Sequence, residues 1–380
     1  MKVLVCIPCL LTGGTEIQTL SLVQALAAAG HDVTTVCYFE HSSEIVRRYE
    51  EAGADVRLLS SDGSRPVGVR NTLGLLWSGL RKTVREVRPD VAHVQYMAPG
   101  AIPIVLLRAL GVRRIVATAH TAADIYSPSG LKIISFLNRR VLRAFQCITE
   151  RAEKSFFGSS SLFDGNNKLR RHGNHFTIYN NLPSYISLRE GLRESDTEAG
   201  GITIGVVSRL EPIKGMDLVI PAFAAIHREC PGTSLLIVGD GSLRERMETE
   251  AEAAGLSGAV SFAGRQPQSS LQEYYDRIDI LLMPSRSEGF GLTAVEGMAR
   301  GCVLVAADTG GLPEVVREGT DGLLHRPEDS GDLAEKVKML IKDAALMRAM
   351  SESALRRAAD FSREAYNARI KSLYDLLARK

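Results

Sequence analysis

Two glutamates, Glu288 and Glu296, stand in the run PSRSEGFGLTAVEGMARG that begins at Pro284. A carboxylate accepts two hydrogen bonds at once and suits neighbouring hydroxyls, as on a sugar or a ribose. The run follows an apolar segment at 280–283 and is expected to open a helix near Thr293. Gly289 and Gly291 allow the backbone of the turn to approach a ligand closely. The first N–H groups of such a helix lack partners within it, and its dipole favours a phosphate there. An isolated pair of glutamates would read as a helix-cap acid and a surface residue. The whole run favours ligand binding instead.

A second run, VVSRLEPIKG, ends at Gly215 and supplies Arg209 and Lys214. It follows an apolar strand and leads into a helix, which puts both cations at the strand's carboxyl end. A guanidinium and an ammonium there can neutralise a diphosphate, and stabilising a departing diphosphate is what group transfer from an activated donor requires. A third run, Gly13-Gly14-Thr15-Glu16, joins the first strand to the first helix. It is a phosphate-compatible loop but not G-x-G-x-x-G, so a dinucleotide-binding site is poorly supported.

The elements that must position these residues alternate along the chain. Apolar runs at 3–7, 33–39, 91–95, 115–119 and 146–149 read as strands, with helical spacing at 17–29 and 44–52. Strands alternating with helices predict a parallel sheet covered on both faces. The rhythm breaks at 155–175, rich in Ser, Gly, Asn and basic residues. A short strand follows at 176–179, and 180–201 reads as linker. It restarts with strands at 202–207, 235–238, 260–263, 280–283 and 303–306 and a helix at 215–228. The expected architecture is α/β, two doubly wound Rossmann-like domains facing across a cleft. The boundaries are 1–182 for the first domain, 183–201 for the linker and 202–362 for the second. An amphipathic helix at 363–380, with Tyr366, Ile370, Leu373, Tyr374 and Leu377 on one stripe, joins the first domain. Ligands of such sheets bind outside the carboxyl ends of the strands.

Composition excludes several classes. The 380 residues are 45% hydrophobic and 24% charged, which fits two or three globular domains and neither a disordered chain nor a polytopic membrane protein. Aromatics make up 6%, with a single Trp, too few for a base-stacking platform. Residues 1–182 carry 22 Lys and Arg against 14 Asp and Glu, whereas 183–380 carry 24 against 30. The basic half favours an anionic acceptor or an anionic membrane surface. Nucleic acid is not expected, because no recognised binding motif accompanies the charge. The six cysteines do not make a disulfide scaffold. Cys6, Cys37, Cys147 and Cys302 lie in apolar runs, as buried thiols do in a reducing cytoplasm. Cys6 and Cys9 form a C-x-x-C without a second ligand pair, which reads as structural. No apolar run reaches the ~18 residues of a membrane span. The apolar start reads as a buried strand rather than a leader.

These runs together resemble the GT-B-fold retaining glycosyltransferases of family 4, the glycosyl transferases group 1. The resemblance covers essentially the whole chain and rests on the glutamate run, on SRLEPIKG, on Gly239-Asp240-Gly241, on the GGTE loop and on RPDVAHVQ at 88–95. It implies that Glu288 binds hydroxyls of a donor sugar and Glu296 the ribose of a nucleotide. Arg209 and Lys214 would hold the diphosphate, helped by Gly13, Gly14 and the backbone N–H groups of Phe290, Gly291, Leu292 and Thr293. The loops at Gly239, Gly241 and Arg265 would frame the base. His120, in ATAHT, would sit beside the reacting sugar carbon, with Glu16 and Tyr96 on the acceptor side. The implied reaction keeps the anomeric configuration and needs no protein nucleophile. No obligatory cofactor or essential metal is expected, in keeping with the lack of an Asp-x-Asp motif. The co-substrate would be a UDP- or GDP-sugar. The acceptor would be a hydroxyl, on a glycan or a lipid-linked glycan of the cell envelope. The protein would be cytoplasmic, with peripheral contact at the inner face of the membrane among the expectations.

Two departures stand near the expected hinge or acceptor side: Tyr179-Asn180-Asn181-Leu182-Pro183 where the family often has Pro-Asn-Gly-Val-Asp, and the segment 155–175. The helix expected at 70–88 mixes Leu73, Leu76, Trp77 and Leu80 with Arg81, Lys82 and Arg85. It reads as a sheet-covering helix with a basic outer face, or as a membrane-surface helix. Two rival functions remain at this level: a nucleotide-sugar epimerase or hydrolase on the same fold, and a non-catalytic nucleotide-sugar-binding module.

Overall fold

The alternation of short apolar runs with helices folds into two compact units, described in a computed structural model for residues 1–97, 100–165, 169, 173–192 and 201–379. The first unit comprises Met1–Asn181 and Arg363–Lys380, the second Leu182–Ser362.

In the first unit seven strands form one sheet: β1 (Lys2–Ile7), β2 (Asp32–Cys37), β3 (Ala54–Leu58), β4 (Val91–Gln95), β5 (Ile115–Ala119), β6 (Ala144–Cys147) and β7 (His175–Thr177). Their order is β3-β2-β1-β4-β5-β6-β7, and every pair is parallel. The order reverses between β1 and β4, the kind of switch point where the loops of an open sheet diverge. Alternation of side chains across the sheet divides its core in two. Val3, Val5 and Ile7 join one cluster, which includes Leu20, Leu22 and Leu26 of the helix Gly14–Ala28 and Ile370, Leu373 and Tyr374 of the helix Arg363–Ala378. Leu4 and Cys6 join the other, with Leu76 and Leu80 of the helix Val69–Val87, Ile104 and Leu107 of Ala101–Ala109, and Ile134 and Leu137 of Pro128–Arg140. The C-terminal helix is pinned through Tyr374, whose hydroxyl lies 2.9 Å from Nδ1 of buried His93; Nε2 of His93 lies 2.7 Å from the Thr118 hydroxyl.

The second unit has six strands: β8 (Ile202–Val207), β9 (Thr233–Val238), β10 (Val260–Gly264), β11 (Ile280–Met283), β12 (Val303–Ala307) and β13 (Gly322–His325). Their order is β10-β9-β8-β11-β12-β13, again all parallel. One cluster of its core packs Val219, Phe223 and Ile226 against β8, β9, β11 and β12.

The structure departs from the sequence reading in four places. β3 and β13 are strands that the apolar runs did not announce. Both are short edge strands, and β3 carries Asp55 and Arg57 among its five residues and is only partly buried. The helix expected from 215 begins instead as a tight 3₁₀ turn at Met216–Leu218 and becomes α-helical over Val219–Glu229. Part of the expected linker is structured: Leu182 and Arg189 donate backbone hydrogen bonds to Phe361 and Ala299, and the Ser187 carbonyl accepts from Arg300. Residues 193–200 of that linker, and 166–168 and 170–172 of the basic segment 155–175, lie outside the described residues. All six cysteines are free. Burial pushes the Cys6 and Cys9 thiols up to about 12, so the C-x-x-C carries no reactive thiolate.

Candidate functional site

In the second unit the sequence-predicted residues gather at the carboxyl ends of four adjacent strands. After β8 the chain passes Arg209 and tightens into the turn Pro212–Lys214, closed by left-handed Gly215. After β11 it passes Pro284 and turns through Glu288 and Gly291 into the helix Leu292–Ala299. Lys214 donates to Glu288, Nζ to Oε2 2.6 Å, with both side chains mostly buried. This pair places a cation and an acceptor of hydroxyl hydrogen bonds side by side, next to the N-terminus of that helix. Arg209 and Arg265 are exposed, and neither has an ion-pair partner among the described residues. Phe290 packs its ring edge-on against Phe361, so only its backbone serves the turn.

Glu296 lies one turn into the helix and is buried. Its two carboxylate oxygens each accept a tyrosine hydroxyl at 2.6 Å, Oε1 from Tyr185 and Oε2 from Tyr275. Burial holds its carboxyl above the usual range, and the two hydroxyls pull it back. A Cβ on Gly239 would lie 1.8 Å from the Ser208 carbonyl oxygen, so the glycine lets the loop after β9 close onto the loop after β8.

Residues that the motif reading missed hold these loops in register. Arg286 donates to both carboxylate oxygens of Asp217 (2.7 and 2.8 Å), to both of Glu328 (2.6 and 2.7 Å) and to the Pro212 carbonyl. It thereby ties the turn carrying Lys214 to the turn carrying Glu288, and these bonds raise its guanidinium further above its ordinary range. After β12, Gly310 adopts φ +55°, and a Cβ there would lie 2.0 Å from the Glu288 carbonyl oxygen. Gly311 N–H donates to that same oxygen at 2.9 Å. Asp217, Tyr185, Tyr275 and Glu328 are far from Glu288 in sequence. The only local signal was the doubled glycine at 310–311.

In the first unit three adjacent strand ends converge. Gly13, in extended conformation, caps the helix Gly14–Ala28, and Glu16 in its first turn folds back over it. Cys9 Sγ donates to Glu16 Oε1 at 3.1 Å, and burial raises the Glu16 carboxyl. Tyr96, after β4, has left-handed backbone (φ +71°) and stands 5.1 Å, ring to ring, from His120 after β5. Burial pushes the Tyr96 phenol up to about 12, with the Thr15 hydroxyl partly offsetting it. His120 is buried; its Nε2 donates to Gln95 Oε1 at 2.9 Å, and desolvation pushes it down to about 3. It is therefore a neutral imidazole at pH 7, held in one tautomer by Gln95, a residue that the sequence reading passed over. Gly14, Thr15, Glu16, Tyr96 and His120 thus form one cluster.

Comparison with known proteins matches two regions of the chain. The description "Glycosyl transferases group 1" matches residues 190–357, and "Glycosyl transferase 4-like domain" matches residues 13–149. D-inositol 3-phosphate glycosyltransferase of Nocardia farcinica is 39% identical over 166 residues, covering 42% of this chain. That alignment takes in 37% of the relative, so the chain matches about two fifths of its length. Glycogen synthase of Mycobacterium tuberculosis is 27% identical over 373 residues, 92% of this chain and 87% of that one. Among solved structures, Anabaena HepE in complex with UDP and glucose superposes with a TM-score of 0.77 at 21% identity, covering 99% of both chains. At that identity the likeness is one of fold.

Proposed function

We propose, because residues 190–357 match the glycosyl transferases group 1 family and residues 13–149 a glycosyl transferase 4-like domain, that the chain is a retaining glycosyltransferase, using a UDP- or GDP-sugar and a hydroxyl acceptor. The observation that carries this reading is the Lys214–Glu288 pair, with Glu288 in the turn that leads into the helix Leu292–Ala299. Lys214, Arg209 and the first N–H groups of that helix take the charge of the diphosphate. Glu288 accepts hydrogen bonds from hydroxyls of the donor sugar, and Glu296, with Tyr185 and Tyr275, faces the ribose. For the first unit, the resemblance gives Gly13 and Gly14 as contributors of backbone N–H groups. His120 lies beside the anomeric carbon.

In this reading the acceptor oxygen bonds to the anomeric carbon on the face from which the phosphate leaves. The carbon–phosphate oxygen bond breaks as that bond forms, and an oxygen of the departing phosphate takes the acceptor's proton. The diphosphate charge is carried by Arg209 and Lys214 without a metal. Anabaena HepE is seen with UDP and glucose, which supports a UDP-sugar over a GDP-sugar. The acceptor is a glycan or lipid-linked glycan of the cell envelope, met in the cytoplasm or at the inner membrane face.

A thermal-shift panel of UDP, GDP, ADP and their sugars identifies the donor, since specific binding raises Tm by mass action. Donor turnover is then measured with and without acceptor hydroxyls. Turnover without any acceptor would point to a hydrolase or epimerase. Unchanged turnover in Lys214→Ala and Glu288→Ala would remove the assigned roles.

A further inference from the structure

The helices Val69–Val87, Ala101–Ala109 and Pro128–Arg140 pack side by side over one face of the first sheet, their inner residues feeding one core cluster. Their outer surface has two features. The first is charge. Arg70, Arg81, Lys82 and Arg85 are exposed on the first helix, Arg108 on the second, and Lys132, Arg139 and Arg140 on the third. None of these has an ion-pair partner among the described residues. The single acid in the three helices, Glu86, is already paired with Arg57. The second is apolar exposure. Val69, Leu73 and Trp77 recur at helical spacing along one stripe and are 73%, 38% and 41% exposed. Val105, Ile133 and Phe136 on the neighbouring helices are 51%, 53% and 61% exposed. Beside Trp77 a groove of about 1020 Å³ is lined by Arg81, Lys82, Arg85 and Arg88.

We propose that this three-helix surface docks on an anionic lipid bilayer, with the cations on the headgroup phosphates and Trp77 and Phe136 in the interface below them. A soluble polyanion would engage the cations and leave the apolar stripe in water. An apolar protein partner would cover the stripe and leave the cations unmatched. A bilayer carrying anionic lipids supplies both surfaces at once. Aromatic side chains favour the headgroup level, and a basic residue near such a surface contributes about 1 kcal/mol, roughly fivefold in affinity. None of the described helices is long and apolar enough to cross a membrane, and the proposed contact lies along their flanks. This deepens the reading of a membrane-carried acceptor and rests on it for its purpose.

Trp77 is the only tryptophan of the chain, so its emission reports the contact without a label. The full chain is mixed, without nucleotide sugar, with vesicles of phosphatidylcholine alone or with phosphatidylglycerol. The expected result is flotation with the anionic vesicles at least about tenfold above the neutral ones, a blue shift of Trp77, and loss of both in about 0.5 M salt, where the Debye length falls to about 4 Å. Arg81→Glu with Lys82→Glu should weaken binding more than tenfold, and Phe136→Ser severalfold. Arg356→Glu, at an exposed site of the second unit, should leave it unchanged. Absence of flotation, binding indifferent to the double reversal, or equal binding to a soluble polyanion such as heparin without a blue shift would each overturn the proposal. UDP-induced thermal shifts on the same samples separate the two readings. A protein that binds nucleotide but not vesicles loses only the docking surface, and one that binds vesicles but no nucleotide loses the enzymatic reading.

Discussion

The two units present the same parallel-sheet architecture and opposite chemistry at their strand ends. The second unit gathers fixed charge: Lys214 against Glu288, Arg286 against Asp217 and Glu328, and Arg209 and Arg265 exposed. The first gathers a buried, largely neutral set, with His120 held uncharged by desolvation and Glu16 pushed towards its protonated form. A parallel sheet therefore dictates where a ligand meets the chain, and the loops dictate what charge it meets.

The sharpest way to break this contrast is to compare one charge with one neutral group. Lys214→Ala should lower kcat/KM for donor about 10³-fold, the size of loss seen when an electrostatic donor to a developing anion is removed. His120→Ala should cost about tenfold to a hundredfold, because a neutral hydrogen-bonding group contributes less. Equal losses in the two variants, measured with the same donor and acceptor, would show that the charge division is not what the reaction uses.

Arg286 sharpens the contrast from within the second unit. It touches no expected ligand position, yet it fastens the turn of Lys214 to the turn of Glu288. Lysine cannot reproduce two forked pairs at once. Arg286→Lys should therefore lower kcat by about tenfold and weaken UDP binding. The unfolding free energy should fall by only about 1 kcal/mol, a small loss for partly exposed ion pairs. A stability loss of that size with kcat and UDP affinity untouched would make Arg286 merely structural.

How much of this was legible in the sequence follows from contact order. Glu288, Gly291 and Glu296 are read directly, because strand, turn and helix succeed one another within a single run. Lys214 and Arg209 are read from their place after β8. Arg286 stands in the same run and went unnoticed, because its meaning lies in Asp217 and Glu328, which only the fold brings to it. Glu296 was expected to face a ribose; that Tyr185 and Tyr275 already hold both of its oxygens could not be inferred from spacing. Tyr185 lies in a stretch whose composition suggested linker, and composition does not reveal that Ser187 and Arg189 bond to Arg300 and Ala299 within the second unit. β3 and β13 were missed because edge strands need not be continuously apolar.

Tyr185→Phe probes that last contact. It removes one of the two hydroxyls that hold the Glu296 carboxylate, at a cost of about 1 kcal/mol in unfolding free energy. It should also raise KM for UDP-sugar by severalfold. A Tm and KM equal to the parent's would show that Glu296 relies on Tyr275 alone.

The smallest effect concerns the neutral interior of the first unit. Burial pushes His93, like His120, down to about 3, whereas an unfolded histidine titrates near 6.5. Between those values the unfolded chain binds the proton and the folded chain does not. Stability therefore rises with pH through that window and is lost as the solution is acidified below about 6.5. From pH 7 to pH 6 each such histidine should cost about 0.7 kcal/mol, a figure set by the unfolded value as long as the folded one lies well below 6. His93→Gln can still meet the Tyr374 and Thr118 hydroxyls and removes the titration. Its unfolding free energy, from urea curves at pH 7 and pH 6, should fall by about 0.7 kcal/mol less than the parent's over that step. The same desolvation at His120 predicts no limb of that group near pH 6.5 in kcat/KM. If His93→Gln and the parent lost equal stability over the step, His93 would have to be protonated inside the fold, and the neutral character assigned to this unit would fail with it.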